Sequence, residues 1–182
     1  MKLVSREFFL ENRDNIFKRW ITLFWDKFEE SKAYLIKGGS DPFQNPFAYQ
    51  VEEAFRKILD FFCEELDFES LDPYLERLAQ LRATQENTLS LALNFLIDLK
   101  SLLRETWGEE IVQRYGLYAL LEIEDVISAL LLRLADYYVR YKERLYDLKV
   151  DEWKRHHYLL LKRAGLIESS SKGKTSIEER CI

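Results

Sequence analysis

The sequence predicts an all-α protein, a single-domain helical bundle with a long C-terminal helix. Three observations predict it. Apolar residues return every three or four positions along most of the chain, only six Gly and three Pro interrupt its 182 residues, and no segment of useful length alternates apolar with polar residues. At this length one domain buries about two-thirds of the surface its unfolded chain exposes, so a core can form without disulfides or metals. The expected domain covers residues 1–167. A polar tail over 168–182, rich in Ser, Lys and Gly, is expected to be disordered.

The first helix is expected from Arg6 to about Phe28. Phe9, Ile16, Trp20, Leu23/Phe24 and Phe28 follow helical spacing, Glu11, Asp14, Lys18 and Lys27 can face water, and Ser5 is the expected cap. A continuation through Tyr34-Leu35-Ile36 is open, and Gly38-Gly39-Ser40 stops it. After a connector, Asn45 as N-cap and Pro46 at the first helical position open a second helix through Leu66, marked by Val51, Phe55, Ile58/Leu59 and Phe62. Asp72-Pro73 repeats that signal and predicts a shorter third helix carrying Leu75, Leu78, Ala79 and Leu81. A break over Thr84–Asn87, with Asn87 as cap, leads into a fourth helix, Thr88 to Trp107, which Gly108 can end; a short helical piece is expected over Glu109–Tyr115.

Beyond Gly116, neither Gly nor Pro interrupts Leu117 to Arg163. A straight helix of that extent is about 70 Å long, more than a globule of this size can bury, so it must bend or project. Leu120, Ile123, Ile127, Leu130/Leu131, Leu134, Tyr137/Tyr138 and Tyr141 form the half expected to face the core. Past them a narrower stripe, Tyr146, Val150, Trp153, His157, Leu160 and Ala164, steps alternately by four and three, the spacing of a helix-pair seam. Two outcomes are open for it: pairing with a second copy, or packing back on its own domain. Gly165 is expected to end the helix.

Charge is uneven. Residues 1–137 hold 16 Lys/Arg against 25 Asp/Glu, a net of −9, whereas 138–163 hold eight against four, a net of +4. An acidic main body argues against nucleic acid, whose phosphates require a basic field. No uninterrupted apolar run approaches the length of a membrane span, and the first residues carry no apolar leader, so a cytoplasmic protein without membrane insertion is expected. Two cysteines, Cys63 and Cys181, make no disulfide framework.

Catalytic chemistry is hard to assemble. Both histidines, His156 and His157, are adjacent near the C-terminal end, so on a helix they diverge by about 100° and do not converge on one ion. No Glu-x-x-His pair of the di-metal helical bundles occurs, and Glu52-Glu53, Glu64-Glu65 and Glu109-Glu110 read as surface charge. A Cys63 or serine nucleophile would have to recruit one of the distant histidines. Gly173-Lys174-Thr175 lacks the upstream glycine and strand of a phosphate loop. No metal and no cofactor are expected.

Polar residues in apolar surroundings remain as candidates. Arg82 and Gln85 flank the break between the third and fourth helices, and Asn94 and Asp98 interrupt an apolar helix. Together they are candidates for a hydrogen-bonded network fixing the helix junction, or for ligand contact. Arg140, Arg144, Tyr146 and Glu152 form a second set suited to positioning helices.

At these residues the sequence resembles the N-terminal domain family of RsbT co-antagonist proteins of the RsbR/RsbRD type. Asn45-Pro46-Phe47-Ala48-Tyr49-Gln50-Val51-Glu52-Glu53 is similar to the family's Asn-Pro opening and following helix. Leu81-Arg82-Ala83-Thr84-Gln85 is similar to its isoleucine-arginine-alanine-valine-glutamine signature, and Phe95-Leu96-Ile97-Asp98-Leu99-Lys100 to its hydrophobic run ending in lysine. The stretch from Tyr138 to Glu152 resembles its tyrosine- and arginine-rich last helix. The resemblance covers about residues 5–155 and implies a globin-like helical sensor of the stressosome, often dimeric, that signals through its terminal helix. A haem-bound iron normally needs a protein ligand, most often His, and residues 1–155 hold none, so a non-haem domain is expected.

The expected function is therefore a non-catalytic sensory or regulatory domain that recognises another protein, with a homodimer and a small apolar ligand as further candidate partners. The seam residues Tyr146, Val150, Trp153, His157 and Leu160 carry the expected output. A helical metal-dependent enzyme with clustered carboxylates and a purely structural assembly subunit are the alternatives. Bound metal would favour the first, and an interface without an internal pocket the second.

Overall fold

Helical spacing becomes five helices among the described residues of the computed structural model, which are 3–27, 43–64, 68–85 and 88–164. They are α1 (Arg6–Asp26), α2 (Pro46–Cys63), α3 (Phe68–Gln85), α4 (Leu89–Tyr115) and α5 (Leu117–Arg163). The chain divides into two compact units, 1–142 and 143–182. The protein is an all-α bundle with a long C-terminal helix.

In the first unit α1 packs on α2 and α4, and α3 packs on the same two helices. Aromatic rings fill the contact. Trp20 of α1 stacks on Phe55 of α2 at 3.9 Å, Phe55 stacks on Phe95 of α4 at 5.2 Å, and Phe9 stacks on Phe62 at 4.7 Å. Burying one such ring contributes roughly 1.5–3 kcal/mol, so this column outweighs any surface ion pair. The expected core positions of α2 are buried, as are Ala92, Phe95, Leu96, Leu99 and Leu103 of α4, and on α5 Ile123, Ile127, Leu130, Leu134 and Tyr138 complete the cluster, with Leu120, Leu131, Tyr137 and Tyr141 packed at its edge.

Asn45 caps α2 as its sequence predicts: its Oδ1 accepts from the Ala48 N–H at 3.0 Å, with Pro46 at the first helical position. Elsewhere the helix ends depart from their local signals, and α2 itself ends at Cys63 rather than near Leu66. Ser5 occupies the cap position of α1, but its buried hydroxyl makes no cap bond and has no partner. Helix α3 starts at Phe68, upstream of Asp72-Pro73, so Pro73 lies inside it. The Asp72 carboxylate is held by Arg133 of α5 and is not a cap. Burial of Leu71 and packing of Phe68 against the core extend the helix across the lost amide donor. Helix α4 runs through Gly108 without a break, because Trp107, Ile111 and Gly108 itself are buried on its core face. The true stop is Gly116, whose φ of 87° suits a residue without a Cβ.

The second unit is described over 143–164, the last turns of α5 and the residue after them, and every residue from 146 onward is exposed. The continuation at Tyr34–Ile36, the stop at Gly38–Ser40, the Asn87 cap, the Gly165 stop and the 168–182 tail lie outside the described residues.

Candidate functional site

The α3–α4 junction is built around one buried cation. Arg82, 5% exposed, donates from Nη2 to the Leu91 carbonyl at 2.9 Å and from Nε to the Ala92 carbonyl at 3.1 Å. Its Nη1 lies 3.5 Å from Gln85 Oε1, and its guanidinium sits 5.3 Å from the centre of the Phe24 ring. A planar fork suits this position, since two parallel donors reach two successive carbonyls in the first turn of α4 and tie it to α3. Trp20 Nε1 donates to the Phe95 carbonyl at 2.7 Å, fixing α1 to the next turn of the same helix.

The structure therefore brings Arg82 and Gln85 together and leaves the other two candidates apart from them. Asp98 is half-buried and accepts from Lys27 Nζ at 2.5 Å through Oδ1, while its Oδ2 is shielded and has no partner. Asn94 is half-buried on α4 and takes no part in the Arg82 contacts. Other ion pairs hold neighbouring helices in register. Arg114 grips Glu11 of α1 at 2.7 and 3.2 Å, and Glu124 of α5 accepts from Arg104 at 2.6 Å and Lys100 at 3.3 Å of α4. The Arg133 guanidinium holds the Asp72 carboxyl below the usual carboxylate range, with a further contribution from the Tyr137 hydroxyl. Cys63 is buried, and burial pushes its thiol up to about 11, so it stays protonated at neutral pH.

The residues of the terminal stripe lie on the exposed surface of α5. Tyr146 and Trp153 are each 61% exposed, and Val150 and Leu160 each 48%. The His157 ring lies 3.8 Å from that of Trp153, with Nδ1 3.1 Å from the Trp153 carbonyl, so the imidazole belongs to the same apolar stripe. His156 is exposed on the adjoining face. Among the described residues no three His, Cys, Asp or Glu side chains are grouped so as to hold a metal ion. No helix among them is long and apolar enough to cross a membrane.

The first unit also carries a groove that the periodicity of its helices does not announce. About 800 Å³ in volume, it is lined by Val4, Phe68, Tyr115, Tyr118, Leu121 and Val126, with Ala119, Ala129, Glu122 and Asp125 completing it. Tyr118 and Leu121 flank the core positions of α5, and their helical spacing to Asp125 is the only trace of it in the sequence. Ala119 and Val126, from the buried stripe of α5, form part of its floor. The groove is large enough to take an apolar body of drug-like size.

Comparison with known proteins gives a single kind of match. The family model for the RsbT co-antagonist protein rsbRD N-terminal domain matches residues 14–152, which include the Asn45-Pro46 opening, the Arg82–Gln85 junction and α5 as far as Glu152. No curated protein and no solved structure matches the chain. With most of its length covered, including the α3–α4 junction and the beginning of the exposed stripe, the chain belongs to the RsbT co-antagonist protein RsbRD N-terminal domain family.

Proposed function

We propose that this chain is a non-catalytic sensory or regulatory domain, cytoplasmic, whose bundle receives a signal and whose terminal helix passes it to a protein partner. Family membership supports the coarser part, a regulatory domain of the stressosome type acting through protein contacts. The observation that carries the finer part is α5 itself. Its first turns supply Ile123, Leu130, Leu134 and Tyr138 to the core, and the same unbroken helix then presents Tyr146, Val150, Trp153, His157 and Leu160 to solvent at alternating steps of four and three.

Large apolar side chains on one stripe of an exposed helix gain free energy only when something covers them. A second copy is the simplest cover, because identical stripes interdigitate as knobs into holes. A repacking around Tyr137 and Tyr138 would then change how the stripe pairs, which is the physical form a relay takes.

Light scattering of the full chain, of a 1–145 truncation and of Trp153→Glu tests the pairing. Twice the monomer mass is expected for the full chain and the monomer mass for both variants. Equal masses for all three would remove the proposed output.

A further inference from the structure

The groove beside α5 has a chemistry more specific than an apolar recess. We propose that it is a docking site for an amphipathic α-helix of a partner protein, one with an aliphatic face flanked by Lys or Arg. The inference stands apart from the terminal stripe and goes beyond the relay described above.

Three observations support that occupant. The first is exposure. Tyr118 is 87% exposed, Val4 66% and Leu121 45%, and all three line the same recess, so a large apolar area faces water there. The second is charge. Glu122 and Asp125 are the charged residues of the lining, both acidic, and they sit on the same helix as Tyr118 and Leu121, one turn on. Glu122 accepts only a long bond, 3.4 Å, from the Val4 N–H, and Asp125 is exposed with no ion pair among the described residues. The body around them, residues 1–137, carries a net of −9. The third is a polar atom: the Tyr115 hydroxyl, on another lining residue, is shielded from water and has no partner.

A helix laid in a groove anchors through side chains at i, i+3 or i+4, and i+7, and an apolar floor with a carboxylate rim takes aliphatic anchors flanked by cations. The anchors would cover Leu121 and Tyr118, and the flanking cations would meet Asp125 and Glu122. Complementary charge of this kind sets the choice of partner and the orientation of docking more than it sets affinity. An acidic helix would bring like charges together on the rim and is rejected.

Fluorescence anisotropy with labelled synthetic peptides tests this on the full chain. The probes are a Leu/Lys amphipathic helix of about 18 residues, long enough to be partly helical alone, and a Leu/Glu helix of the same pattern. The Leu/Lys peptide is expected to bind and the Leu/Glu peptide to fail. Asp125→Lys and Leu121→Glu, each with an unchanged circular dichroism spectrum, are expected to weaken binding about tenfold or more, a shift of about 1.4 kcal/mol. Glu105→Lys changes the net charge as Asp125→Lys does, but lies outside the groove, and is expected to leave binding unchanged. Equal weakening by Glu105→Lys would mean generic attraction to an acidic protein and would overturn the proposal. So would equal binding of both peptides, or a drop in the mass of the full chain caused by Leu121→Glu, which would assign the groove to a second copy. Trp153→Glu, which breaks the terminal stripe, is expected to leave peptide binding unchanged, so the two proposals fail separately.

Discussion

Two glycines, one inside α4 and one just past its end, show how much one backbone angle decides. Gly108 lies inside α4, where a Cβ would meet Arg104 Cγ at 3.9 Å and Leu120 Cδ2 at 4.0 Å, ordinary van der Waals distances. Nothing there requires glycine, and its backbone freedom in the unfolded chain works against the helix. Gly108→Ala is therefore expected to stabilise the protein by about 0.5–1 kcal/mol. Gly116 has open space around it but a φ of 87° and ψ of 164°, a region that residues with a Cβ avoid. Gly116→Ala is expected to cost about 1–3 kcal/mol. Urea unfolding of both variants checks the pair, and two shifts of the same sign would contradict it.

A second residue-level consequence concerns acid. Asp72 ionises more readily in the folded protein than its ordinary value of about 3.9, because Arg133 donates two hydrogen bonds to its carboxylate. A depressed folded value means that the unfolded chain binds the proton more tightly. The pair's contribution is thus complete above the unfolded value, shrinks as pH falls below about 4, and is lost once pH passes the folded value. Both side chains are partly solvated, so about 1 kcal/mol is the expected size. Asp72→Asn should lower the melting temperature at pH 6, and the gap from the parent protein should narrow as pH falls below about 4. A gap that persists unchanged at low pH would show that the carboxylate charge is not what matters.

Among the elements, the α3–α4 junction depends on geometry that only one side chain supplies. Lysine at position 82 keeps the charge but has a single nitrogen, so it cannot serve the Leu91 and Ala92 carbonyls together in the manner of the Arg82 fork. Arg82→Lys is expected to destabilise by about 1–3 kcal/mol, the cost of a buried polar group left short of partners, as read by urea unfolding. A change of only a few tenths of a kcal/mol would show that the fork geometry is not what holds the junction.

The junction also marks how far the elements were legible in the sequence. Arg82 and Gln85 stand beside a break in periodicity; Arg82 reaches the α4 carbonyls, whereas Gln85 meets only Arg82 of its own helix. The uninterrupted run from roughly Leu117 to Arg163 predicted a single long α5, since without a breaker the helix has no local reason to end. The boundaries at Asp72-Pro73 and Gly108 did not follow their local signals. There tertiary burial of Leu71, Trp107 and Ile111 outweighs one missing amide donor and one flexible glycine. The pairing of Asp98 with Lys27, rather than with Asn94 or Gln85, joins residues 71 positions apart, and no periodicity encodes such a partner. The groove was illegible for the same reason: Val4, Phe68 and Tyr118 meet only once the bundle has formed.

At the scale of the whole molecule, the division into units 1–142 and 143–182 predicts two levels of stability in one chain. Amides of α5 near Ile123 and Leu130 belong to the core and exchange hydrogen only when the bundle opens. Residues 146–164 are all exposed, and an isolated helix of that length is marginal in water, so its amides have little protection of their own. Covering the stripe changes that balance by mass action, because whatever binds the helix stabilises its folded form. Hydrogen exchange followed by mass spectrometry should therefore show protection of 146–164 that falls on dilution, while protection around Ile123 and Leu130 stays constant. Trp153→Glu should set the terminal segment at its diluted level at every concentration. Terminal protection that stays as high as that of the core at all dilutions would mean the helix is stabilised within a single chain, and the stripe would lose its role as the surface through which copies meet.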